Sequence, residues 1–258
     1  MKKLLSFFLV ATCLTFTSCL DTIDELTIAA DGSGVYKSTM DMGGMFEMLE
    51  MAAAMDPNSG DEIKKLTGKS IDSSVRLQSV VDTASNLNEE QKRLFRDAQM
   101  SFVIKKDEKV FKLGMTYPFK HIEDVQKIME LNSQGKGVGM YGKQKKEQAM
   151  LPGMDEMGEM PSLAKAFDVT IKKGLIERKL NDEKYKSFKD DEKMKDLGAA
   201  KDMISGVKFT TVIHLPSPVT KATGDAVKVS DDKKTVMITT TLLELLDNPK
   251  ALAFRIEY

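Results

Sequence analysis

The chain has no tryptophan, two cysteines and two histidines in 258 residues. Each shortage closes a class of chemistry. Both cysteines, Cys13 and Cys19, stand near the start, so nothing beyond residue 19 can carry a disulfide, a thiolate metal site or a cysteine nucleophile. Stability beyond that point must come from a packed core. His121 sits at an expected helix start beside Glu123 and Asp124, and His214 lies in an alternating strand before Leu215-Pro216. Neither belongs to an H-E-x-x-H motif, and no G-x-S-x-G occurs. Without tryptophan and with five tyrosines, a sugar-stacking cleft is disfavoured, and the neighbouring pairs Asp190-Asp191 and Asp231-Asp232 read as solvated charge. A non-enzyme is expected. An excess of positive charge is lacking too: 38 basic side chains face 39 acidic ones, which argues against nucleic acid as a partner.

What is present begins with MKKLLSFFLVATCLTFTSC. Lys2 and Lys3 precede an apolar stretch, Leu4 to Thr17, too short to span a bilayer, which is the layout of a secretory leader over residues 1–18. Phe16-Thr17-Ser18-Cys19 resembles a bacterial lipobox, and the resemblance implies that Cys19 becomes an acylated N-terminus. That covalent lipid would be the only prosthetic group; no cofactor is expected. More than one acyl chain gives lasting attachment, and no later stretch approaches the ~20 apolar residues of a span. Residues 19–24 are then expected as a lipidated tether. Leu20 after the cysteine, rather than aspartate, points to the outer membrane, facing the periplasm.

Local patterns predict an α+β fold: antiparallel hairpins with helices on one face, in two halves, 25–134 and 162–258, that share a layout. Asp31-Gly32-Ser33-Gly34 turns one hairpin and Lys106-Asp107-Glu108 a second. Asn88 is the expected N-cap of "NLNEEQKRLFRDA", and "HIEDVQKIMELNSQ" puts Ile122, Val125, Ile128, Met129 and Leu131 on one helix face. "AFDVTIKKGLIERKL", "VKFTTVIHLPSPVTKA", "AVKVSDDKKTVMITTTLLELL" and "ALAFRIEY" supply strands to the second half. Between the halves, residues 135–161 lose periodicity and read as a loop. Gly137-Val138-Gly139-Met140-Tyr141-Gly142 there matches G-x-G-x-x-G, but a helix precedes it and Gln144 stands where a P-loop has Ser or Thr, so no nucleotide site is expected.

Eighteen methionines are the positive anomaly. In "MDMGGMFEMLEMAAAM", Met45, Met48, Leu49, Met51 and Met55 fall on one side of an expected helix that stops at Asp56-Pro57. Thioethers adapt to irregular apolar partners, so this face is the candidate for a lipid-like ligand or an apolar partner surface. The M-x-x-M-x-x-M spacing also suits Cu(I) or Ag(I), and it recurs at Met154, Met157 and Met160 in the loop. Metal handling is the alternative; a purely structural envelope role is another.

The "DGSG" hairpin with its methionine helix, "DTASNLNEEQKRLFRDAQMSF" leading to "YPFK", and the closing "HLPSPVTKATGDAVKVSDDKKTVMITTTLLELLDNPKALAFRIEY" resemble a family of uncharacterised lipoproteins of Bacteroidetes-type bacteria. The closing stretch is also similar to the lipid-binding α/β domain of certain mycobacterial lipoproteins, with Asp231-Asp232-Lys233 at the strand turn. That second likeness implies a hydrophobic ligand.

Overall fold

The structure, a computed structural model, describes residues 20–44, 46, 70–133, 163–190 and 206–258. The first hairpin forms as its glycine turn predicts. Ser33 donates from its backbone and hydroxyl to Asp31 Oδ1 at 3.0 and 2.7 Å, and Gly32 takes φ +85° between β1 (Asp21–Ile28) and β2 (Gly34–Asp41). β3 (Ile71–Arg76) leads into α1 (Gln78–Thr83), a short helix. Asn88 and Gln91 close a reciprocal capping box on α2 (Glu89–Phe95), which satisfies two orphan donors of its first turn. The second hairpin is β4 (Gln99–Lys105) and β5 (Val110–Phe119), and α3 (Glu123–Ser133) buries Val125 and Ile128.

β6 (Phe167–Lys172) and β7 (Leu175–Leu180) form the next hairpin, followed by α4 (Asp182–Lys189). The remaining elements are β8 (Lys208–His214), β9 (Lys221–Thr223), β10 (Val227–Val229), β11 (Thr235–Thr241), α5 (Leu242–Asp247) and β12 (Phe254–Glu257). "VKFTTVIHLPSPVTKA" thus supplies two strands, not one, because β8 and β9 belong to different sheets.

The architecture is α+β. One sheet of eight strands runs β10-β11-β8-β1-β2-β5-β4-β3, and one of four runs β6-β7-β12-β9. The large sheet is antiparallel except where β1 meets β8, Leu26 opposite Ile213. That pairing joins the two halves: β8, β10 and β11 extend the sheet that residues 21–119 begin, so 25–134 and 162–258 share one sheet. Local patterns could not show it, because a parallel partner nearly 190 positions away leaves no mark on either strand's periodicity. The expected tether also shortens. Residues 21–24 lie in β1, and the Leu20 carbonyl accepts a hydrogen bond from the Lys208 amide at 3.2 Å.

Strand alternation sends Leu26, Tyr36, Tyr117 and Ile213 to one face of the large sheet, against the small sheet and α1 to α3. Gly224, at φ +136°, turns the corner from β9 in the small sheet to β10 in the large one. The other face carries Thr210, Thr239, Glu25 and His214, the one-sided solvation usual for an antiparallel sheet. A second cluster, Met42, Phe46, Phe102, Ile104 and Phe111, lies on the covered face further along the strands.

Candidate functional site

The apolar-in pattern breaks at two facing positions. On β1, Asp24 shares its side with Leu26 and Ile28; on β7, Arg178 shares its side with Ile176 and Leu180. Both therefore point between the sheets, where an unpaired charge is costly. With Leu26, Tyr36, Thr211, Ile213 and Phe254 among its walls, the space they enclose is a cavity of about 20 Å³, enough for roughly one water. Asp24, Val169, Arg178 and Thr211 keep part of their surface exposed, so the cavity communicates with solvent on their side.

Tyr36 donates its hydroxyl to Asp24 Oδ1 at 3.0 Å. Its ring stacks on Tyr117 with centroids 5.9 Å apart, and Tyr117 donates to Asn132 Oδ1 at 3.2 Å. Burial pushes the Tyr117 phenol up to about 12. Burial first, and then the Asp24 carboxylate, push Tyr36 well above the ordinary tyrosine value. Both hydroxyls are consequently fixed as neutral donors. The Arg178 guanidinium lies 5.3 Å above the Phe254 ring, a cation–π distance. Burial pulls its pKa below the usual arginine value, while Asp24 and Tyr36 act in the opposite direction. Among the described residues, no oxygen accepts a hydrogen bond from this guanidinium, and Asp24 acts on it only through space. A charged head with five donors therefore lines a water-sized space, and no described residue takes any of them.

Beyond the cavity the same face of the large sheet stays half-buried. Register places Ser38 opposite Met115, Met40 opposite Leu113 and Met100 opposite Met115, and Thr22 opposite Phe209. The strip runs from Asp24 toward the Met42–Phe46 cluster, on the side where Leu20 packs. Its methionines belong to strands, not to the expected helix.

Of the helix face, Met45, Met48, Leu49, Met51 and Met55 lie outside the described residues, as do Met154, Met157, Met160, Cys19 and the whole of 135–161. Phe46, within the same stretch, is described: it is 2% exposed and meets the Phe111 ring at 6.2 Å. Sequence reasoning passed over Asp24 and Arg178. Asp24 falls in the expected tether and "LIERKL" in an expected strand segment, yet the parity of each charge with its apolar neighbours was a readable signal.

His214 lies on the open face, Nε2 3.2 Å from Glu25 Oε1 and Nδ1 3.3 Å from Thr235 Oγ1. The hydroxyl–imidazole–carboxylate order resembles a catalytic triad. All three project from the open face of the sheet, with His214 and Glu25 about 40% exposed to solvent. His121 stands apart, its carbonyl accepting from the Asp124 amide. Among the described residues no three His, Cys, Asp or Glu side chains are grouped to hold a metal, and no helix is long and apolar enough to cross a membrane.

No family model and no curated protein matches the chain. The resemblance to Bacteroidetes-type lipoproteins therefore stays with the stretches that carry it. Among solved structures, the chain is similar to the folded domain of LppM from Mycobacterium tuberculosis, at 9% identity and a TM-score of 0.37, with 95% of this chain and 94% of that one covered.

Proposed function

We propose that the protein is a non-catalytic lipoprotein of the cell envelope, held through acyl chains on Cys19 at the periplasmic side of the outer membrane, and that it binds a lipid-like ligand. The observation that carries the binding reading is the covered face of the large sheet. A polar station, Asp24, Tyr36 and Arg178, shares that face in register with a half-buried strip bearing Met40, Met100, Met115 and Leu113. A polar end beside an adaptable apolar track is what an amphiphile requires. Thioethers lining the track accommodate chains of differing shape with little penalty. The adjacent stretch 45–55 extends the same thioether chemistry in sequence.

Binding would be physical rather than chemical: the apolar part of the ligand leaves water, at roughly 25 cal/mol per Å² buried, and the polar station fixes its head. The test is organic extraction of protein purified without detergent, with mass spectrometry of the extract. A co-purifying lipid near one equivalent is expected beyond the acyl chains on Cys19. An empty extract, together with no uptake of added lipid, would overturn the reading.

A further inference from the structure

The charges in the cavity say which head it takes. We infer that the ligand presents a neutral hydroxyl to Asp24 and Arg178, so that it is a hydroxyl-headed lipid such as a monoacylglycerol and not a free fatty acid. This inference rests on the lipid-binding reading above.

Three features converge on it. First, the station is balanced, one carboxylate against one guanidinium, and both line the same cavity. A second anion would gain Arg178 only by approaching Asp24, and like charges in a partly desolvated site repel strongly. Second, the valences that the described protein atoms leave open to solvent are of both kinds. Asp24 takes one hydrogen bond, from Tyr36, and among the described residues no other donor reaches its side chain. Arg178 has only donors, and among the described residues no oxygen accepts from them. A hydroxyl accepts from the guanidinium and donates to the carboxylate at once; a carboxylate can do only the first. Third, a space of about 20 Å³ is on the scale of one water, which suits a single hydroxyl oxygen entering between the two charges. The apolar remainder then leaves by the half-buried side, along Ser38, Met40 and Leu113.

The test compares 1-monopalmitoylglycerol with palmitate, titrated into the delipidated protein at a pH well above the carboxylic acid's own pKa. The wild type is expected to bind the glycerol ester at least about tenfold more tightly, the effect of some 1.4 kcal/mol. Asp24→Asn keeps an acceptor for Tyr36 but removes the negative charge, and should shift the preference toward palmitate. Arg178→Met should weaken the ester, with circular dichroism and thermal unfolding confirming that both variants fold. A wild type that prefers palmitate, or an Asp24→Asn preference identical to wild type, overturns the headgroup inference. If the wild type binds both lipids equally, the inference fails while the lipid-binding reading stands; if it binds neither, both fail.

Discussion

Asp124 shows how a single buried charge is tolerated here when it is properly met. At 7% exposure it receives both arms of the Arg93 fork, at 2.7 and 3.0 Å, which ties α2 to α3. Those hydrogen bonds, ahead of any other influence, hold its carboxyl below the usual aspartate value. A depressed folded pKa gives stability that is complete above the unfolded value, about 3.9, and that is lost as pH falls through the folded value. Asp124→Asn should cost about 1–2 kcal/mol at neutral pH, toward the low end because half of Arg93 is exposed to solvent. It should also flatten the acid limb of stability below about pH 4. Urea unfolding across a pH series measures both; an unchanged acid limb would remove Asp124 from the account. Asp24 and Arg178 differ in kind, since their geometry leaves valences open. In the sequence all four charged residues look alike, because local pattern records which side a residue faces and not what crosses from the opposite element.

Elements with a local cause were legible. The Asp31–Gly34 hairpin, the Asn88 cap and the Lys106 turn follow from residues within a few positions of one another, and each formed. The α1 helix escaped because six residues carry under two helical turns of pattern. The division of "HLPSPVTKATG" between two sheets escaped because it depends on β9 pairing with the distant β12, after which Gly224 turns the chain back to the large sheet. A side chain there would place its Cβ 2.7 Å from the Ala253 carbonyl oxygen, in a backbone conformation that L residues rarely adopt. Gly224→Ala should therefore destabilise by about 2–3 kcal/mol. Thermal unfolding would read this as a clear fall in Tm; a neutral result would mean the corner can relax without parting β9 from β12.

At the scale of the molecule, α+β composition was legible and connectivity was not. The parallel β1–β8 contact merges the two halves, and no stretch of either announces the other. The candidate site divides likewise: adaptable methionines were visible as a composition, while the polar station exists only after the sheets face each other. Anchoring is testable at this scale. Intact mass of the envelope-extracted protein should show Cys19 acylated and residues 1–18 absent. Cys19→Ala should move the protein to the soluble fraction and abolish flotation with vesicles. An unmodified N-terminus in the wild type would end the lipoprotein reading.

The early start of β1 has a mechanical consequence. Asp21 is already paired with Asp41 on one side and Lys208 on the other. Two residues span at most about 7 Å, so a lipid carried on Cys19, as proposed, would have almost no slack. Tension on it would run lengthwise down an interior strand, loading two ladders in shear together instead of peeling an edge bond by bond. The body would resist being tugged out of shape, and it could swivel only within a narrow cone above the lipid surface.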